Sequence, residues 1–226
     1  HVESSITDGP GGDSALVVSD GEARLVNQND CRTNDLGALL SHGPVDLHWL
    51  QFSGAIWYPM VYDMDAAEKK QLCVDKVESQ FARALRYVEA LNATTVIPSA
   101  GPPCFLDEEL FGLNMVTGDE TSIFPDQMEF QRRISDIGRL NAATTIPGTS
   151  FSVIGGGVTV EQPCSGDELS RIFTNKLEYL RTYQADWAEW LAAETVSWAS
   201  PDTEIIGTLK LWWEPPMELG VSVRQG

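Results

Sequence analysis

Apolar and polar positions divide the chain into short alternating runs followed by long helical stripes. Residues 14–19 (SALVVS) and 22–27 (EARLVN) are β-type runs separated by Asp20-Gly21, and Asp-Gly between apolar runs is a strong hairpin signal. The polar cluster Asn27, Gln28, Asn29, Asp30, Cys31, Arg32 follows. Asn34 or Asp35 then N-caps a short helix through Leu40, closed by His42, Gly43 and Pro44. Residues 45–52 (VDLHWLQF) form the next strand, and the loop SGAIWYPMVYDM follows it. Asp65 N-caps a helix from Ala66 to about Leu91. In it Val74, Val77, Phe81, Leu85, Val88 and Leu91 recur at three and four, which makes one buried stripe. Asn92 ends this helix, and residues 94–98 (TTVIP) are a short β-branched strand. Strand, helix, strand in this order is a βαβ unit, so these two strands are expected to be parallel neighbours.

The second half is less regular. After Ser99 the chain reads AGPPCFLDEELFG, in which Asp107, Glu108 and Glu109 make a solvated helix start. A helix is expected over about 125–140, with Pro125 in its first turn. Runs at 143–146 and 149–154 precede Gly155, Gly156 and Gly157 and a further run, VTVEQ. Those glycines lack the spacing and the lysine of a phosphate loop, so they predict a hairpin or a bulge. One long amphipathic helix is expected over 168–198, carrying Leu169, Ile172, Leu177, Leu180, Tyr183, Trp187, Trp190 and Leu191 on one stripe. The tail LKLWWEPPMELG places Trp212 beside Trp213, which points to a contact surface.

Composition narrows the function classes. Fifteen basic residues face 33 acidic ones in 226, a net charge of −18 and an isoelectric point near 4.3. Such a surface repels phosphate backbones, so nucleic acid and anionic membranes are not expected partners. No apolar stretch reaches the roughly 20 residues that span a bilayer, and no basic-then-apolar leader opens the chain. A soluble cytoplasmic protein with free thiols is the expectation. The four cysteines (Cys31, Cys73, Cys104, Cys164) contain no C-x-x-C pair, and none has a histidine two or three residues later. A zinc ribbon is therefore not expected, and the paired motifs of a Rieske cluster are absent.

Asn27 to Arg32 is the most informative chemical spot, because ligands gather beyond the carboxyl ends of strands in layered α/β folds. Asp30 is a hard metal donor and Cys31 a softer one; alternatively, Asn29 and Asp30 only cap the next turn. His48, inside a strand, is either a packed residue or a ligand, and His42 suits a helix C-terminus. Ser53 in QFSGA ends a strand but lacks the G-x-S-x-G elbow. Trp57, Tyr58, Tyr62, Trp187, Trp190, Trp212 and Trp213 either line a sugar- or nucleotide-sized pocket or form core.

The strings LVNQNDCR, LQFSGAIWYPMVYD and IPSAGPPCFLDEELF, in this order after a hairpin, resemble the C-terminal half of the metallo-β-lactamase fold. Within it they resemble the subgroup that pairs this fold with a Rieske domain, which includes the UDP-N-acetylmuramic acid and CMP-N-acetylneuraminic acid hydroxylases. The resemblance implies an α/β, layered αββα fold, with residues 1–160 its C-terminal part and residues 161–226 a helical extension packed on it. It implies oxygen-dependent hydroxylation of the N-acetyl group of a nucleotide sugar. Asp30 matches the family's metal-bridging aspartate. Val96-Ile97-Pro98-Ser99-Ala100 matches a strand that ends Val-Val-Pro-x-His, but Ala100 replaces the histidine, and the H-x-H-x-D-H motif is not in this chain. Loss of a ligand leaves a mononuclear site, with iron favoured over zinc and with Asp30 and His1 as expected ligands. Trp57, Tyr58 and Ser99 would line the substrate pocket beside the loop Gly101-Pro102-Pro103. The 2Fe-2S cluster would sit on a segment outside this chain, an electron-donor protein or domain would be a partner, and a homo-oligomer is compatible with this reading. Two rivals remain: a zinc hydrolase of the same fold, and a non-catalytic binding module with a decayed metal site.

Overall fold

The computed structural model describes residues 2–7, 12–54, 56–99, 101, 104–115 and 122–196. His1, Ala100, Pro102, Pro103, Trp212 and Trp213 lie outside the described residues. By its internal contacts the chain divides into two units, His1–Tyr179 and Leu180–Gly226. The boundary expected between residues 160 and 161 thus falls inside the first unit.

The first unit is built on a five-stranded sheet in sequential order, β1 (Val2–Thr7), β2 (Ser14–Ser19), β3 (Arg24–Asn29), β4 (Leu47–Gln51) and β5 (Thr95–Ser99). The first three strands pair antiparallel, whereas β3–β4 and β4–β5 are parallel. Helix α1 (Leu36–Leu40) connects β3 to β4, and α2 (Ala66–Leu91) connects β4 to β5, so the expected βαβ unit is present. The second hairpin arm starts at Arg24 rather than residue 22. Asp20 Oδ1 accepts from the backbone N–H groups of Glu22 (3.0 Å) and Ala23 (2.8 Å), which holds both residues in the turn. Gly21 supplies the positive φ (+100°) that the turn requires.

Helix α2 has the ends its sequence specifies. Asp65 Oδ1 accepts from Ala67 N (2.9 Å) and Glu68 N (3.1 Å), and Asn92 closes the helix in the left-handed region at φ +47°. Asp65→Ala is expected to remove about 1 kcal/mol of stability, measured as a lower urea midpoint with an unchanged m-value. Phe81, Val88 and Leu91 of the expected stripe are buried, but so are Cys73, Gln80, Ala84 and Tyr87. The inner face is broader than the apolar pattern and includes polar groups.

Helix α3 (Gln127–Asp136) starts after the Asp126 cap and stops before Gly138 (φ +80°), which makes it shorter than the expected 125–140. Residues 143–146 do not form a strand, and a single bridge joins Val96 to Ala142. Side chains satisfy this backbone instead: Gln127 Nε2 donates to Thr145 O (2.6 Å) while Thr145 N donates to Gln127 Oε1 (2.8 Å). Strands β6 (Ser150–Ile154) and β7 (Gly157–Glu161) form a separate hairpin. Its two turn residues, Gly155 and Gly156, both have positive φ, as a tight hairpin requires.

The single long helix expected over 168–198 is two helices, α4 (Gly166–Thr174) and α5 (Lys176–Val196). Asn175 leaves helical geometry (φ −119°, ψ 44°), and its carboxamide bonds the Glu178 carboxylate at the head of α5. An Asn side chain that competes for local hydrogen bonds suits a cap better than a helix interior. The expected buried stripe is also corrected. Leu177, Tyr183, Trp187, Trp190 and Leu191 are exposed, Leu180 is buried, and the rings of Trp187 and Trp190 stack on each other at 4.7 Å.

Candidate functional site at the ends of the parallel strands

Three parallel strands stop side by side, with Asn29 opposite Leu50 and Gln51 opposite Ser99. The loops that leave them gather where ligands bind in α/β sheets. Asn29 reverses the chain in the left-handed region (φ +43°), and Cys31 N donates to Gln28 O at 2.9 Å. Beneath this turn lies a buried polar strut. Gln28 Nε2 donates to Cys31 O (3.0 Å), so its Oε1 faces His48 Nε2 at 2.9 Å. That orientation makes Nε2 the protonated ring nitrogen. Nδ1 is buried with no partner among the described residues. Burial pushes the His48 pKa down to about 3, so the ring is neutral near pH 7. His48 is a packed residue that braces the end of β3, with its only exchangeable proton already used.

One face of α2 covers the site. Lys76, Gln80, Arg83 and Tyr87 follow one another at intervals of four, three and four, which puts them on one side of the helix. Tyr87 Oη donates to Thr33 O (2.8 Å), and the neighbouring Arg86 Nη2 donates to Asn34 Oδ1 (3.3 Å), so this face meets the loop after β3. Lys76 Nζ donates to the carbonyls of Ile56 and Tyr58 and ties down the loop after β4. Gly54 is buried between these contacts. A Cβ on Gly54 would stand 2.6 Å from Gln80 Nε2 and 3.9 Å from Arg32 Nη2, and one on Gly101 would stand 2.4 Å from Ser53 Oγ. A side chain at either position would displace the Gln80 carboxamide or the Ser53 hydroxyl from where it now sits.

The electrostatics of this face run against the whole chain. Arg83 is half-buried and pairs with no carboxylate among the described residues. Its pKa is lowered, first by burial and then by the positive charges of Arg32 and Arg86. Lys76 is lowered in the same way, with burial the main cause. Gln80 Oε1 and Ser99 Oγ are buried without a hydrogen-bond partner among the described residues, which leaves hydrogen-bonding capacity unused beside the site.

The residues singled out in the sequence are only partly brought together. Ser99 lies at the site. Trp57 instead packs edge-on against Phe105 (5.1 Å) and Phe124 (5.8 Å) in an aromatic cluster, while Tyr58 is exposed against Tyr62. Asp30 Oδ1 accepts from Asn29 Nδ2 at 3.3 Å, and His1 lies outside the described residues. Among the described residues no three His, Cys, Asp or Glu side chains converge as a metal site requires. They do not by themselves fit a mononuclear metal centre. Nor do they fit a Rieske cluster: Cys31 and Cys73 are buried apart from any histidine pair, and His48 is committed to Gln28. Arg83, Gln80 and Gly54 were not legible as site residues. The only sequence signal was three polar residues at helical spacing on an inward face.

A second cavity, of about 580 Å³, is lined by Met128, Arg132, Phe173 and Lys176, among others. Its charged groups are already paired, Arg132 with Glu129 and Asp136, and Lys176 with Asp126.

The chain is similar to mycobacterial proteins named "Putative Rieske 2Fe-2S iron-sulfur protein". It is 43% identical over 214 residues to one from Mycobacterium tuberculosis (strain ATCC 25618 / H37Rv). It is 42% identical over 212 residues to one from Mycolicibacterium smegmatis (strain ATCC 700084 / mc(2)155). Each alignment covers 93% of this chain. The chain spans only 42% and 41% of the length of these two relatives. No family model and no solved structure matches. The similarity supports a Rieske association, and no described helix is long and apolar enough to cross a membrane.

Proposed function

We propose that this chain is the substrate-binding part of a Rieske-coupled oxygenase, of layered metallo-β-lactamase-like fold, that hydroxylates the N-acetyl group of a nucleotide sugar. The observation that carries the reading is 43% identity along nearly the whole chain to proteins of Rieske name, of which it spans 42%. A Rieske cluster delivers electrons, and its ligand motifs are not in this chain, so its place in the reading is a segment outside it. An electron-donor protein or domain completes the system.

This chain's own residues bind and orient. The loops after β3, β4 and β5 form the walls, Gly54 and Gly101 let backbone approach closely, and Ser99 and Gln80 offer unspent polar atoms to a sugar hydroxyl or amide. Asp30, beside the turn after β3, is the residue this reading assigns to a metal, with His1 as its companion.

The test is turnover by the full natural protein, loaded with iron and sulfide, on UDP-N-acetylmuramic acid with a reductant and isotope-labelled dioxygen. The expected product gains one labelled oxygen atom on its acyl group, read by fragmentation mass spectrometry. Asp30→Ala is expected to retain the cluster's iron and lose the additional iron, measured by elemental analysis. Cleavage of the substrate without oxygen uptake, together with bound zinc, would move the assignment to the hydrolase.

A further inference from the structure

We propose that α5 pairs antiparallel with the α5 of a second copy of this chain, through the face that carries Tyr183, Trp187, Trp190 and Leu191. Tyr183, Trp187 and Trp190 recur at four and three, the spacing that lines one side of a helix for a helical partner. All four side chains are exposed, from 41% for Trp187 to 51% for Trp190, and the two tryptophan rings stack on each other rather than in a core. Large aromatics held open to water on one stripe mark an interaction surface. Leu180, three residues before Tyr183 in the same rhythm, is buried, so the open stretch begins at Tyr183. Charge selects the occupant. The first turns of α5 carry Lys176, Glu178 and Arg181, whereas Asp186, Glu189 and Glu194 follow with no further base. A parallel copy would set acidic end on acidic end, and an antiparallel copy sets acidic end on basic end. The stripe and the charge gradient are thus self-complementary about a twofold axis. The register that sets Tyr183 on Trp187 of the second copy also brings Arg181 level with its Glu189 and Lys176 level with its Glu194, because all three pairs share Ala185 as midpoint. Lys176 keeps its pairing with Asp126 and acts through its field, so the rim contact falls to Arg181, which is exposed. At roughly 150–250 Å² per fully buried aromatic, the face and its flanks bring on the order of 1,000 Å² into the pair, the low end for a specific interface and the range of a reversible dimer. The pairing is independent of the proposed reaction.

The experiment is sedimentation velocity on the full natural protein over a wide concentration range. The wild type is expected to show a reversible monomer–dimer equilibrium. Trp187→Asp combined with Trp190→Asp is expected to leave only monomer, with circular dichroism and thermal melts checking that the variant folds. A charge series keeps every aromatic and serves if that variant does not fold. Arg181→Glu and Glu189→Arg are each expected to weaken the dimer several-fold, because a rim pair contributes little singly but occurs twice about the axis. Arg181→Glu combined with Glu189→Arg is expected to return the dissociation constant to within about twofold of wild type, since the pair re-forms with its signs exchanged. A parallel dimer would not recover, because Arg181 would then lie beside Arg181 of the second copy. A protein that stays monomeric at every concentration overturns the proposal and assigns the face to another occupant. A dimer that survives both tryptophan substitutions overturns this face as its interface, and a dimer that the combined charge exchange fails to restore overturns the antiparallel pairing.

Discussion

Replacing Phe52 with alanine is expected to lower stability by about 3–5 kcal/mol, the usual cost of emptying a fully buried aromatic position. Phe52 is 0% exposed, and its ring stacks on Phe130 of α3 at 5.0 Å and on Phe81 of α2 at 6.4 Å. Phe81 and Phe130 are themselves 5.9 Å apart, centroid to centroid. One residue after β4 therefore joins the sheet to both covering helices. The cavity term adds to the lost transfer energy because α2 is held at its cap and at Tyr87 and cannot collapse inward. Urea unfolding should show the loss as a lower midpoint with an unchanged m-value, and Phe52→Leu should recover part of it. A loss below about 1 kcal/mol would contradict this core assignment.

The second large effect is a pH dependence carried by His48. Its pKa is about 3 in the folded protein against 6.5 for the free side chain, with burial as the cause. Between these values the unfolded chain binds a proton that the folded chain refuses, so stability is complete above about pH 6.5 and falls as pH drops toward 3. The slope approaches about 1.4 kcal/mol per pH unit in the middle of this window. Between pH 6 and pH 4 this group alone is expected to remove about 2 kcal/mol. The measurement is the stability difference between the natural protein and His48→Gln across that range, which cancels carboxylates common to both. A difference that stays flat from pH 6 to pH 4 would show that the folded protein takes up the proton and that the ring is not sealed. The strut explains why refusal is expected. Gln28 presents an acceptor to Nε2 and spends its donor on Cys31, and Val26 and Val96 flank His48 on the neighbouring strands.

The contrast between Lys76 and Arg83 shows how differently two cations on one helix face can be used. Lys76 is consumed by two loop carbonyls and acts on the fold. Arg83, one helical repeat further on, has no such anchor among the described residues. The ion pair between Arg133 of α3 and Glu78 of α2 is half-exposed, and pairs of that kind contribute little. The helices are held over the sheet by the phenylalanine stack rather than by their surface charges.

Sequence alone determined the elements whose causes are local. Asp20-Gly21 sets the first hairpin, Asp65 and Asn92 set both ends of α2, and the strand–helix–strand order sets the parallel pairing of β4 and β5, because each depends on a few adjacent residues and on connection length. It also placed a candidate site at the end of β3 and carried the resemblance that the mycobacterial relatives support at the level of Rieske association. Tertiary structure decided the rest. Residues 143–146 read as a short run, yet the Gln127 side chain takes both backbone hydrogen bonds of Thr145. Asn175 breaks a helix that apolar spacing carried straight through, and that spacing could not say that Trp187 and Trp190 would stack on each other in the open. His48 read as a packed strand residue ahead of a ligand, but its partner, Gln28 twenty residues earlier, which accepts from Nε2, is set by the fold. Gln80 is one polar residue among many on α2 until the fold sets its carboxamide beside Gly54. Whether a polar side chain is buried, and with what charge beside it, depends on residues distant in the chain, and no local pattern records it.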